Sequence, residues 1–226
     1  MVLGVALLLA TREARAQLPV DASLLEARHD SLVVRVQGQV LGWQTSQLTR
    51  NDGAIRVVDQ FDLGEFGQQR TEIQLTKEGR LRWVQQGGIL QGVPIRASLE
   101  YRRNQVRGVT VVPSPQGPVT LEADTTLPPG AIDDNAIALF LPTLPWAEGA
   151  RWSFPVFIGG ENTIRTMTLT VLGTASVSLP AGPIDTWEAE LDGGRAPVRF
   201  YVTRSSPHRL ARIEVVGTGL EFVLVN

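Results

Sequence analysis

The 226-residue chain contains no cysteine. That absence removes disulfides, thiolate nucleophiles, iron–sulfur clusters and Cys-ligated zinc together. It also removes the anchor of a bacterial lipoprotein, which needs a cysteine just after its leader. Histidine is almost missing: only His29 and His208 occur, too few for a three-histidine zinc site, and there is no H-E-x-x-H. No metal and no cofactor is therefore expected. The single lysine, Lys77, sits in Thr-Lys-Glu-Gly-Arg, an exposed turn sequence rather than the dry pocket of a Schiff-base amine. No G-x-S-x-G elbow, G-x-x-x-x-G-K-[ST] loop or helix-opening G-x-G-x-x-G is present. An excess of basic charge is lacking too. With 21 Lys+Arg against 23 Asp+Glu the formal charge is -2, which offers no concentrated basic face to nucleic acid.

Long apolar runs are absent except at the start. Val2 to Ala10 is followed by Ala14-Arg15-Ala16 before Gln17, the apolar core and small-x-small cleavage pattern of a secretory signal over residues 1–16. A bilayer span needs about 20 apolar residues, so the run is too short for a membrane helix. No Lys or Arg precedes it, and the other reading is a short buried helix. Removal of residues 1–16 would leave 19 basic and 22 acidic groups, a charge of -3, on one β half-barrel domain of residues 17–226. The expected location is periplasmic or secreted, without spanning the membrane. Aromatic residues at 6% would supply only thin girdles to a transmembrane β-barrel.

What the chain does contain is apolar surface, at 43% hydrophobic and 19% charged residues, enough to offset the entropy of ordering. Its pattern has period two. Leu32, Val34 and Val36 alternate with Val33, Arg35 and Gln37; Ile95, Ala97, Leu99 and Tyr101 alternate with Arg96, Ser98, Glu100 and Arg102; Met167, Leu169 and Val171 alternate with threonines. Turn sequences such as Asn51-Asp52-Gly53, Glu78-Gly79-Arg80 and Asp192-Gly193-Gly194 separate roughly ten or eleven strands, and short connections imply an antiparallel meander. Pro113-Ser114-Pro115 reads as a loop within one domain.

One stretch breaks the pattern. Ile132 to Leu141 places Ile132, Ala136 and Phe140 on one helical stripe, with Ile137 and Leu141 beside them, and Pro142 stops it. Asp133 and Asp134 suit the helix start, where acidic groups are favoured, better than a paired-acid site. Ser23 to Glu26 has capping-box spacing or is an extended edge. The expected fold is therefore all-β: a curled sheet or half-open barrel of roughly ten strands with one short helix as its lid.

About eight strands make a barrel that its own side chains fill. More strands lead to a flat sandwich, a closed cavity or a half-barrel covered by the helix. Trp43, Trp83, Ile137, Phe140, Trp152, Trp187, Phe200 and Phe222 are then either plain core or the lining of an apolar cavity for a lipid or acyl chain.

The second half carries a resemblance. Ile132-Asp133-Asp134 to Leu144-Pro145-Trp146, Glu148-Gly149, Leu169 to Gly173, Leu179-Pro180-Ala181-Gly182-Pro183 to Trp187, Tyr201-Val202-Thr203 and Leu210 to Glu214 resemble an uncharacterised family of exported Gram-negative β-proteins. That family is similar to half-barrels of the periplasmic lipoprotein-carrier type. The first half matches only in the spacing of glycines such as Gly38 and Gly42. The resemblance implies a β half-barrel and an exported location, and it assigns no catalytic residue.

Function then divides three ways: a non-enzymatic carrier of an apolar small molecule or lipid; an envelope module that pairs with a partner protein through its sheet edges; or an enzyme using His208 with Asp185 or Glu214. The first is the leading expectation. Arg102, Arg103 and Arg107 either meet an anionic head group or simply face water.

Overall fold

The computed structural model describes residues 17–51 and 53–225; the expected leader, residues 1–16, lies outside them. The period-two segments pair in chain order. β1 (Arg28–Val36), β2 (Gln39–Asn51), β3 (Ala54–Asp62), β4 (Gly67–Thr76), β5 (Leu81–Leu90), β6 (Val93–Arg102), β7 (Gln105–Val112) and β8 (Val119–Thr126) form one antiparallel meander. After a two-residue strand, β9 (Ile132–Asp133), and a helical segment, a second meander runs through β10 (Arg151–Ile158), β11 (Thr163–Leu179), β12 (Gly182–Asp192), β13 (Val198–Thr203), β14 (Leu210–Val215) and β15 (Leu220–Leu224). β15 pairs antiparallel with β1, with Leu32 opposite Leu224 and Val36 opposite Leu220, and this joins both meanders into one sheet of fifteen strands.

Fifteen exceeds the expected ten or so because some hairpins lack the usual turn residues. Gln37 and Gly38 have φ of 50° and 79°, and Gln91 and Gly92 have 50° and 77°. Both pairs lie in the left-handed region, as a two-residue hairpin turn with matching twist requires. Glutamine is not a usual cue for that conformation.

A flat sheet of this size would be about 70 Å wide at roughly 4.8 Å per strand. It curls instead, because one face is apolar enough to wrap a single core. Leu48, Ile73, Val84 and Leu99 from the first meander share a cluster with Phe154, Leu169, Phe200 and Val202 from the second. Glycines on the concave side permit the bend. A Cβ on Gly108 would lie 1.9 Å from the carbonyl oxygen of Ser98, and one on Gly88 would lie 2.2 Å from that of Gln68. The sheet is not closed into a barrel. Its two ends meet through the β10–β11 turn, where Asn162 Nδ2 donates to the carbonyl of Glu122 on β8 at 2.8 Å and Gly159 faces the Leu99 side chain.

The helix expected over Ile132 to Leu141 is shorter and begins later. Ile132 and Asp133 pair in parallel with Val156 and Phe157 of β10, and a 3-10 turn spans Asp134–Ala136. Helix α1 (Ile137–Phe140) follows, and a second 3-10 turn, Leu141–Thr143, contains Pro142. The apolar stripe holds nonetheless: Ala136, Ile137, Phe140, Leu141 and Leu144 all belong to the core cluster. At the N-terminal end a 3-10 turn, Ala22–Leu24, is capped by Asp21, which accepts from Ser23 N at 2.9 Å; Ser23 is not the cap. Arg50 fixes this segment by donating to the carbonyls of Ala22 and Leu25.

Candidate functional site

Register places two unlike layers side by side on the concave face. Leu48, Val57, Ile73, Val84 and Leu99 are opposite one another across β2 to β6 and are buried. Two residues further along the strands the same face carries Asp30, Ser46, Asp59, Thr71 and Gln86 in one row. Arg28 and Arg209 hold Asp30, at 2.9 and 3.1 Å. Burial pushes the carboxyl of Asp59 up, and its Oδ1 is buried without a hydrogen-bond partner. Gln86 continues the row toward α1 by approaching Asn135 Oδ1 at 3.4 Å.

At the apolar end, where α1 crosses the sheet, lies a recess of about 540 Å³. Leu18, Val20, Leu81, Ile132, Ala136 and Phe140 supply its apolar wall. Tyr101 and Asp133 lie at its polar wall, and exposed Arg80, Arg82 and Arg103 surround it from the β4–β5 turn, β5 and the β6–β7 turn. A volume of this size, with apolar walls and few converging polar groups, is the usual character of a small-molecule site.

The polar wall is built around Asp133. Its carboxyl is fully buried; it accepts the hydroxyl proton of Tyr101 and bonds from Asn135 N and Nδ2 at 2.9 and 2.8 Å. Asn135 Nδ2 also reaches Asp134 Oδ1 at 3.2 Å, so one amide bridges two adjacent acids. Adjacent helical residues would point apart. These converge because Asp133 is the extended cap and Asp134 the first residue of the turn. Burial raises Asp133, and burial together with the Asp133 charge pushes Asp134 up to about 8. Tyr101 is raised as well, by burial first and then by Asp133, so its hydroxyl remains a donor. The capping role read for Asp133 from sequence is present; its burial under Tyr101 was not visible there.

The side chains expected to line a cavity separate into three groups. Phe140 lines the recess, and Ile137 is buried in the core beside it. Trp152, Trp187, Phe200 and Phe222 lie on the concave face of the second meander: Phe200 is buried, Trp152 packs edge-on against Trp146 with ring centroids 6.4 Å apart, and Trp187 and Phe222 are half-buried. Trp43 and Trp83 face outward. Trp43 is 46% exposed and lines a shallower cleft with Phe61 and Ile89, and Trp83 Nε1 donates to Gln74 Oε1 at 2.6 Å.

His208 Nδ1 is 2.6 Å from the carbonyl oxygen of Thr203, while Glu214 engages Arg212 and Tyr201 instead. Arg102 and Arg107 pair with Glu100 and Asp124 at 3.1 and 3.0 Å, which leaves Arg103 as the member of that trio at the recess. Sequence reasoning overlooked Arg80, Arg82, Asn135 and the hydroxyl of Tyr101. The tyrosine did carry a signal: a phenol on a strand's apolar face needs a buried partner.

This geometry defines a β half-barrel with a lined recess, and the comparisons agree on the class. Residues 92–225 match the family described as Protein of unknown function (DUF3108), and the chain belongs to that family. The matched region contains Tyr101, Asp133, Phe140 and the whole second meander. It also bears out the resemblance read from the second half to an uncharacterised β family. Among solved structures, the chain is similar to a beta-barrel-like protein of the domain of unknown function DUF1849 from Brucella abortus, with TM-score 0.54 and 12% identity over 89% of this chain and 98% of that one. That likeness concerns the fold alone. A candidate exported protein with a YmcC-like fold from Bacteroides fragilis aligns with TM-score 0.28 and 10% identity over 88% of this chain and 94% of that one, too loosely to bear on the argument. No curated protein matches the chain. Among the described residues, no helix is long and apolar enough to cross a membrane.

Proposed function

We propose that this protein is exported to the periplasm or beyond, and that it binds or ferries an apolar ligand, a lipid or acyl chain, without chemical turnover. Residues 17–226 act as one domain, and the chain of the ligand lies in the recess against Leu18, Leu81, Ile132, Ala136 and Phe140. The observation that carries this reading is the recess itself: about 540 Å³ of concave, mainly apolar space where α1 crosses the end of the sheet. The recess opens to solvent between exposed Arg80, Arg82 and Arg103, so a ligand can reach its apolar wall.

The test is titration with a fluorescent acyl-chain probe. The protein should bind it saturably with a blue shift in emission. Ala131→Trp, which fills the half-buried wall of the recess from its rim, should weaken binding by about tenfold, equivalent to a little over 1 kcal/mol. Equal binding by a folded Ala131→Trp variant would place the ligand elsewhere, and no uptake by either would overturn the reading.

A further inference from the structure

Resting on that reading, the structure assigns the ligand's other end: we propose that the recess accepts a single-chain amphiphile whose head group is an anion, held by Arg80, Arg82 and Arg103. The three guanidinium groups come from separate elements, the β4–β5 turn, β5 and the β6–β7 turn, yet all border the same opening. All three are exposed, and what distinguishes them from other arginines is their position at the opening. Arg50, Arg56, Arg199 and Arg212 are each engaged by a backbone carbonyl or a carboxylate. Arg82 and Arg103, by contrast, form no ion pair among the described residues. Glu78, two residues before Arg80 in the turn, lies 3.9 Å from Lys77 and also interacts with Arg80.

Apart from exposed Glu78, which offsets part of the charge of Arg80, the acid at the opening opposes an anion little. Asp133 is covered by Tyr101 and Asn135, and burial raises both Asp133 and Asp134, which favours their uncharged forms. The recess thus has an apolar wall, one buried and satisfied acid, and a cationic rim. A cationic head would meet three like charges there. A neutral head would leave the guanidinium groups in water, with no gain over an alkane. A carboxylate or phosphate would gain forked, charge-assisted hydrogen bonds.

The test compares laurate, dodecyl phosphate, dodecanol and dodecylamine, below their micellar concentrations, as competitors of the acyl probe on the full chain. The two anions should compete best, with laurate and dodecyl phosphate separating carboxylate from phosphate preference, and their advantage should shrink with added salt. Arg82→Gln or Arg103→Gln should weaken the anions about threefold and the double variant about tenfold, as for partly exposed ion pairs, while dodecanol is unchanged. Equal competition by all four would overturn the anionic assignment and leave the apolar recess standing. Failure of every competitor, with no probe bound, would instead remove the reading beneath it. A double variant that loses dodecanol as well would show a general loss of the site and also count against the head-group role.

Discussion

The hydroxyl of Tyr101 on β6 donates to the carboxyl of Asp133, thirty-two residues further along the chain, at the point where β9 leaves β10 and turns into α1. This bond ties the first meander to the segment that roofs the core. Tyr101→Phe leaves one buried carboxyl acceptor short of a donor and should cost about 1–3 kcal/mol. Asp133→Ala should cost more, since it also strands the Asn135 amides. Chemical denaturation measures both, and a neutral Tyr101→Phe would show that the hydroxyl contributes nothing to the roof.

Asp134 is one of three acids raised by burial, with Asp133 and Asp59, that give stability a pH dependence. Its folded-state value is pushed up to about 8, from an ordinary value of 3.8. An acid raised in this way binds a proton more tightly folded than unfolded, so its contribution is fully present below the unfolded value. That contribution is lost progressively as pH rises toward 8. Stability should therefore fall between about pH 4 and 8, and Asp134→Asn should flatten that slope and be the more stable form at pH 8. Thermal melts across this range read the effect directly; an unchanged slope would assign the dependence to Asp133 or Asp59, which burial also raises.

The two sheet ends are held by Asn162, which sits at φ 51° and donates to Glu122. Asn162→Gly keeps the backbone conformation and removes the side-chain bond together with the buried, unpartnered Oδ1, at a net cost of at most about 1 kcal/mol. Amide exchange should quicken along β8 and in the β10–β11 turn, while β1 and β15 stay protected.

Curvature depends on glycine. Gly108→Val would drive a Cβ to 1.9 Å from the Ser98 carbonyl oxygen, from a backbone φ of 147°. It should destabilise the protein by more than about 3 kcal/mol, in the range of overpacked or strained core changes. Gly38→Asn, at a turn with open space around it and φ of 79°, should be nearly neutral by comparison.

Much of this architecture was legible in the residues. Alternation marked Leu32 to Val36, Ile95 to Tyr101 and Met167 to Val171 as strands, because a sheet with one dry face leaves a period of two. The apolar stripe of Ala136, Ile137 and Phe140 announced a covering helix, though its first two residues were drawn off into pairing with β10. Strands joined through Gln37-Gly38 and Gln91-Gly92 could not be counted, since glutamine does not advertise a left-handed conformation. The site was harder to see. Arg80, Arg82 and Arg103 come from different strand ends, and only the curl of the sheet brings them around Phe140 and Asp133. Nor does alternation say which face is concave where both faces hold aromatics, so Trp43 and Trp83 could not be told from Phe200 and Phe222.

The central claim is that the recess beside Phe140 holds an apolar chain. Native mass spectrometry of the protein, purified from its native cells without detergent, tests it most directly. A bound species of a single-chain anionic amphiphile, absent from the Ala131→Trp variant, is the predicted result. A spectrum of bare polypeptide, with no mass added when laurate is supplied, would contradict it.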